Sequence, residues 1–111
     1  MLESIKKNQD FQKVYNKGKS LADKYLVMYI LDNQSDKNRV GISVSKKVGN
    51  SVVSHRLARL IRESYRLNED KFVSGLDIVV IARISAKSKS YHEINAAFLH
   101  LGRLHHILKE S

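Results

Sequence analysis

Apolar residues recur along the chain with two periods, one helical and one alternating. Phe11, Val14 and Tyr15 keep helical spacing, and "NKG" at 16–18 ends the run. This predicts a short helix over about 8–16, capped by Asn8 or Ser4. It is too short to hold alone and must pack on something. "YLVMYIL" at 25–31 is dense in β-formers, and "DNQSDKN" at 32–38 reads as a loop. "RVGISVSKK" at 39–47 alternates: Val40, Ile42 and Val44 share one face, while Gly41, Ser43 and Ser45 share the other. An antiparallel hairpin joins these two runs by the shortest route. Residues 19–24 leave room for a further short strand, giving two or three strands before the next helix.

"GNS" at 49–51 punctuates the chain and offers a cap. The helix that follows, about 52–66, is amphipathic. Val53, Leu57, Leu60, Ile61 and Ser64 take one side; Arg56, Arg59, Arg62 and Arg66 take the other. "LDIVVIA" at 76–82 is nearly all apolar, as in an interior strand, and Gly75 turns into it. Ser90 and Glu93 are spaced as a capping box. A last helix over about 91–108 then buries Ile94, Phe98, Leu101, Leu104 and Leu108. The pattern is a single-domain α/β sandwich over 1–111: helix, two or three strands, helix, strand, helix. No repeat or linker divides it.

Charge adds a partner to this frame. Twenty basic and 11 acidic residues give the 111-residue chain a net charge of +9. Such an excess bears on association rather than on fold, and nucleic acid is the usual polyanion. A membrane surface or an acidic protein is the alternative. Cysteine is absent, which excludes disulfides, thiolate nucleophiles and cysteine-held zinc. "MLESIKKNQD" has no signal-peptide apolar core, and no stretch reaches membrane-span length, so a soluble cytoplasmic protein is expected.

Catalytic chemistry is hard to place. Asp70 and Asp77 have no evident partner for acid–base work. His92, His100, His105 and His106 form no His-Glu-x-x-His pattern, and adjacent His105 and His106 point in different directions. They read as surface or partner-facing groups rather than metal ligands. The arginine ladder is more informative. Guanidinium forks match phosphate oxygens. The plainer reading is a solubilising face, with Arg59 pairing Glu63 one turn on. A second surface is suggested by the small face of 39–47 beside Lys46 and Lys47. Phe11, Tyr15 and Tyr29 are the aromatics available to line it, a combination that suits single-stranded nucleic acid. Plain core packing of Phe11 or Tyr15 is the competing reading.

Nearly the whole chain resembles the protein component family of bacterial ribonuclease P. The resemblance lies in "NQDFQKVYNKGKSLADKYLVMY", in "RVGISVSKKVGNSVV", in "LDIVVIAR" and in the helical tail. It implies an α/β sandwich with a left-handed crossover around the basic helix, opposite to the usual hand. It also implies an accessory subunit of an endoribonuclease, with hydrolysis carried by a catalytic RNA through Mg2+ and no organic cofactor. The partners would be that RNA and the 5′ leader of precursor tRNA. By the same resemblance Arg56, Arg59 and Arg62, with His55, contact catalytic RNA, and Arg83 matches a basic position after the penultimate strand. Lys46, Lys47 and Arg66 extend that basic surface. Phe11, Tyr15, Tyr29, Ser43, Ser45 and Lys46 match or border the leader cleft.

The sequence departs from the family at the "RNR" motif, which reads Ser54, His55, Arg56 here. A position often basic is Ala58, and a proline often found after Arg83 is missing from "RISAK". Losing two cations weakens RNA binding and its salt dependence without damaging the fold. A ribosome-associated or other non-catalytic RNA-binding protein is the alternative function. A DNA-binding regulator lacks the paired helices it would need. An unaided nuclease lacks an evident carboxylate cluster.

Overall fold

Strand β5, Leu76–Ala82, decides the topology, because both of its faces are apolar and Ile78, Val79 and Val80 are fully buried. Only a central position covers both faces. In the computed structural model, which describes residues 3–109, β5 lies between β3 (Leu26–Asp32) and β4 (Arg39–Val44). β3 pairs with it antiparallel and β4 parallel. The expected hairpin between these two strands therefore does not form. The loop at 33–38 instead steps across the width of β5, about 10 Å at the usual strand spacing. Covering a doubly apolar strand outweighs the shorter local pairing.

The sheet has five strands, in the order β1-β4-β5-β3-β2. β2, Lys19–Ala22, is the strand left open at 19–24, and it forms one edge. β1, Glu3–Ser4, forms the other edge beside β4; two residues carry no periodicity by which to foresee it. Helix α1 spans Asn8–Lys17, α2 Ser51–Asn68 and α3 Tyr91–Leu104. The parallel crossover from β4 to β5 runs through α2.

The two faces of the sheet are unequal. Leu26 and Met28, Val40, Ile78, Val80 and Ala82 point toward α2 and α3. There they meet Leu57, Ile61, Tyr65, Ile94, Phe98 and Leu101. The opposite face carries α1 alone, on a small core of Ile5, Val14 and Val79 edged by Phe11, Tyr15, Tyr29, Leu31 and Ile81.

Local chemistry explains the helix ends. The Asn50 side chain accepts from the Val53 amide at 3.1 Å and starts α2. Ser90 and Glu93 form the full capping box of α3. α1 starts at Asn8 behind Lys7 without a side-chain cap, so neither Asn8 nor Ser4 plays that part. It ends at Gly18, where an added Cβ would meet the carbonyls of Val14 at 2.5 Å and Ile30 at 2.8 Å. α3 stops at Leu104 rather than at 108. His106 takes positive φ, which turns Ile107 into the core, and Leu108 bridges to Phe72.

Candidate nucleic-acid interface

The parallel pair β4 and β5 ends at Val44 and Ala82, and antiparallel β3 begins beside Ala82 at Leu26. One end of the sheet thus collects three loops: 45–50, 83–90 and 23–25. It also carries the N-termini of α2 and α3, whose backbone amides favour anions. Lys46, Lys47, Arg83 and His55 are all exposed at this end. The parallel order of β4 and β5 brings together residues far apart in sequence.

The arginines of α2 divide into three kinds. Arg59 and Arg62 are exposed and have no carboxylate partner among the described residues. Arg66 closes on Glu63 with two bonds, at 2.6 and 2.8 Å, so Glu63 pairs with Arg66 and not with Arg59. This fork raises Arg66 and lowers Glu63 from their ordinary pKa values. Arg56 is half-buried and donates to two backbone carbonyls, Lys89 at 2.6 Å and Lys87 at 3.3 Å. The sequence ladder is real, but only two of its four guanidinium groups are unengaged.

On the α1 face, three residues form a row across the strands: Tyr29, Val79 and Gly41. Phe11 lies against Gly41, where an added Cβ would sit 2.8 Å from the ring. The Tyr15 ring meets Tyr29 edge-on at 5.1 Å and Phe11 at 6.2 Å. Burial pushes the Tyr15 phenol up, opposed by a hydrogen bond with Ser43. The next row is Val27, Ile81 and Ser43, all half-buried, and it leads toward exposed Ser45 and Lys46. The structure therefore gathers Phe11, Tyr15, Tyr29 and Ser43 along one shelf. It adds Val27 and Ile81 as apolar floor, which the apolar run of each strand hid.

The far end of this shelf is locked by an ion pair that spacing did not reveal. Arg39 donates to Asp77 twice, at 2.9 and 2.6 Å, and reaches Asp10 on α1 at 3.5 Å. Asn33 adds a bond to Asp77 at 3.0 Å. Burial pushes Asp77 up, but the bonds from Arg39 and Asn33 outweigh it and hold the carboxyl below its ordinary value. Asp77 thus has a partner, and its work is structural.

The histidines divide as well. His92, His100 and His106 are exposed, as surface groups are expected to be. His105 is buried, with Nε2 2.9 Å from the Met28 carbonyl and Nδ1 unpartnered. Burial lowers its pKa, against the Met28 bond, which raises it. It lies four residues after Leu101 on the buried face of α3, and the turn at His106 follows it. No described helix is long and apolar enough to cross a membrane.

A family model described as Ribonuclease P matches residues 2–105. The ribonuclease P protein component of Lachnoclostridium phytofermentans is 60% identical over 111 residues, covering 100% of this chain and 96% of that one. The Clostridioides difficile protein component is 53% identical over 100 residues, covering 89% and 88%. Among solved structures, the ribonuclease P protein of Staphylococcus aureus superposes with a TM-score of 0.90 at 37% identity, covering 98% of this chain and 100% of that one. The Thermotoga maritima protein gives 0.82 at 32% identity, covering 91% and 96%.

Proposed function

Because the chain belongs to the ribonuclease P protein component family, a protein subunit serving tRNA 5′ processing, we propose specific roles for its two surfaces. The single observation that carries the assignment to surfaces is the pairing of unengaged cations with an aromatic shelf on one fold. Arg59 and Arg62, with His55 and the Lys46–Lys47 turn, meet the phosphates of the catalytic RNA. The shelf of Phe11, Tyr15, Tyr29 and Ser43 takes the single-stranded 5′ leader of precursor tRNA, with bases stacked on aromatic rings. Ser45 and Lys46 lead the strand toward the basic end, and Arg83 lies on that rim.

In this reading residues 3–109 act as one RNA-binding unit in the cytoplasm, and bond cleavage belongs to the catalytic RNA with its own Mg2+. Water attacks the phosphodiester there; the protein places the leader and offsets phosphate repulsion. The test is cleavage of labelled precursor tRNA at low Mg2+ by catalytic RNA, by protein, and by both. Stimulation confined to the mixture is the expected result. Cleavage by protein alone would move the chemistry onto the chain, and no stimulation by folded protein with a matched RNA would overturn the assignment.

Gly41 offers a separate test of the shelf. In G41A the new methyl displaces the Phe11 ring, the movable partner in that contact. Leader affinity is expected to fall about tenfold, the scale of one base–aromatic stack. Catalytic-RNA affinity stays at the parent value. Titrating precursor tRNAs with and without a leader separates the two, and an equal loss for both substrates would remove Phe11 from the cleft.

A further inference from the structure

Arg56 shares the spacing of Arg59 and Arg62 but not their freedom, and the segment it holds carries a charge of its own. Its Nη2 donates to the Lys89 carbonyl at 2.6 Å and its Nη1 to the Lys87 carbonyl at 3.3 Å. Both carbonyls lie in the segment that joins β5 to α3. Ala86, fully buried, pins that segment to the larger core. The Lys87 amide donates to the Ile84 carbonyl at 3.1 Å. Both backbone polar groups of Lys87 are therefore engaged, and its backbone is fixed against the first half of α2. Its side chain is exposed and has no carboxylate partner among the described residues. Lys89 differs: its ammonium is 3.9 Å from Glu93 and lies over the Tyr25 ring at 5.3 Å, so it is already engaged.

The place matters because the start of α2 is otherwise poor in free guanidinium groups. Ser54 and Ala58 are neutral, and Arg56 is bound to carbonyls. The first free one is Arg59, three residues further on, and Arg62 follows at the same spacing. Lys87 sits beside Arg56 and so adds a cation at the head of this row from a segment 31 residues away in the chain. A surface of one sign then runs from the loop before α3 across α2.

We propose that Lys87 is a direct phosphate contact for the catalytic RNA, extending the α2 face onto that loop, and that Arg56 is the positioning residue that holds it there. The inference rests on the reading that the α2 face meets catalytic RNA. Continuity selects this one occupant: a polyanion that covers Arg59 and Arg62 passes over Lys87 as well. The aromatic shelf proposed for the leader lies on the opposite face of the sheet, under α1.

The experiment measures binding of catalytic RNA over a salt series, with thermal unfolding and amide exchange of each variant alongside. K87A is expected to weaken binding about tenfold near 50 mM salt and to reduce the slope of log K against log salt by about 1. Its melting should stay at the parent value, because the side chain is exposed. R56Q is expected to lose the same slope, and R56Q/K87A no more than K87A alone. Exchange at the Lys87 and Lys89 amides should quicken in R56Q and not in K87A. The ratio of affinities for precursor tRNAs with and without a leader should not change in K87A.

Four results would count against the proposal. Parent-like affinity and slope for K87A, while R59Q/R62Q is still impaired, removes Lys87 from the interface and leaves the α2 face standing. Parent-like binding of R59Q/R62Q removes the α2 reading on which the inference rests. A slope reduced by about 2 in R56Q/K87A returns Arg56 to direct phosphate contact. A changed leader ratio in K87A moves Lys87 from catalytic RNA to the leader. K87A alters no packed group, so it decides the contact even where R56Q melts lower.

Discussion

Arg39→Ala is expected to lower the melting temperature by about 10 °C. The substitution strands Asp77, whose side chain is only 5% exposed, with Asn33 as its remaining partner. Removing one member of a buried ion pair typically costs about 3–5 kcal/mol. Arg39 is one-third exposed and Asn33 stays in place, so about 2–3 kcal/mol is the better figure here. For a domain near this size, that range corresponds to about 10 °C. The pH dependence gives the loss a signature. With Arg39 present, the folded-state pKa of Asp77 lies below the ordinary 3.8. Its stabilisation is therefore complete above that value and is lost as pH falls through the folded-state pKa. Without Arg39, burial dominates and the carboxyl protonates more readily in the fold than in the unfolded chain. The gap between parent and variant should then be full at pH 7, start to close as pH falls through the variant's raised pKa, above 3.8, and go on closing as pH falls to the parent's lowered one. Melting curves across that range check it; a gap independent of pH would mean the loss comes from packing of the Arg39 stem and not from its charge.

R59Q/R62Q is expected to reduce affinity for catalytic RNA by about a hundredfold near 50 mM salt. It should also reduce the slope of log K against log salt by about 2. Of the four arginines on α2, Arg56 is bound to carbonyls and Arg66 to Glu63. Two guanidinium groups are left to hold the helix on its polyanion. Both side chains are exposed, so their loss leaves the core intact and melting should be unchanged. Filter binding over a salt series reads both quantities. A hundredfold loss with an unchanged slope would point to a rearranged helix. Parent-like affinity would take the RNA off this face.

Most of the fold was legible because its elements carry strong periodicities. The burial of Leu57, Ile61 and Ser64 on α2, the capping box of α3, the Asn50 cap and the interior place of β5 follow from local pattern, while Tyr65 and Asn68, buried on the same helix, lay outside the expected stripe. The pairing of strands did not follow from it, because adjacency in sequence favours a hairpin between β3 and β4, whereas adjacency in space is set by the need to cover β5 on both sides. The site divides along the same line. Phe11, Tyr15, Tyr29 and Ser43 meet on one shelf, but periodicity alone did not fix which side of the sheet receives α1, and the three aromatics also pack on the small core there. Asp77 and Arg39 stand opposite each other only once β4 runs parallel to β5, 38 residues apart in the chain. Arg56 and Lys89 meet by the same crossover, so no spacing rule distinguishes Arg56 from Arg59. His105 went inside because it lies one turn beyond Leu101 on the buried face of α3, and the positive φ at His106 ends the helix just after it.

The unequal faces of the sheet set two energy scales within one chain. α1 is seated by three buried side chains and the Arg39–Asp10 contact, whereas β5 is buried on both sides. Its amides therefore exchange with solvent through a local opening that leaves the sheet and the larger core intact, while those of β5 wait for global unfolding. The helix that walls the aromatic shelf is thus more easily lifted than the central strand. A strand held on the proposed shelf would draw on the closed population only. On the proposed leader site, a bound leader is expected to slow exchange in α1 relative to β5, and conditions that loosen α1 are expected to weaken leader capture before they unfold the protein.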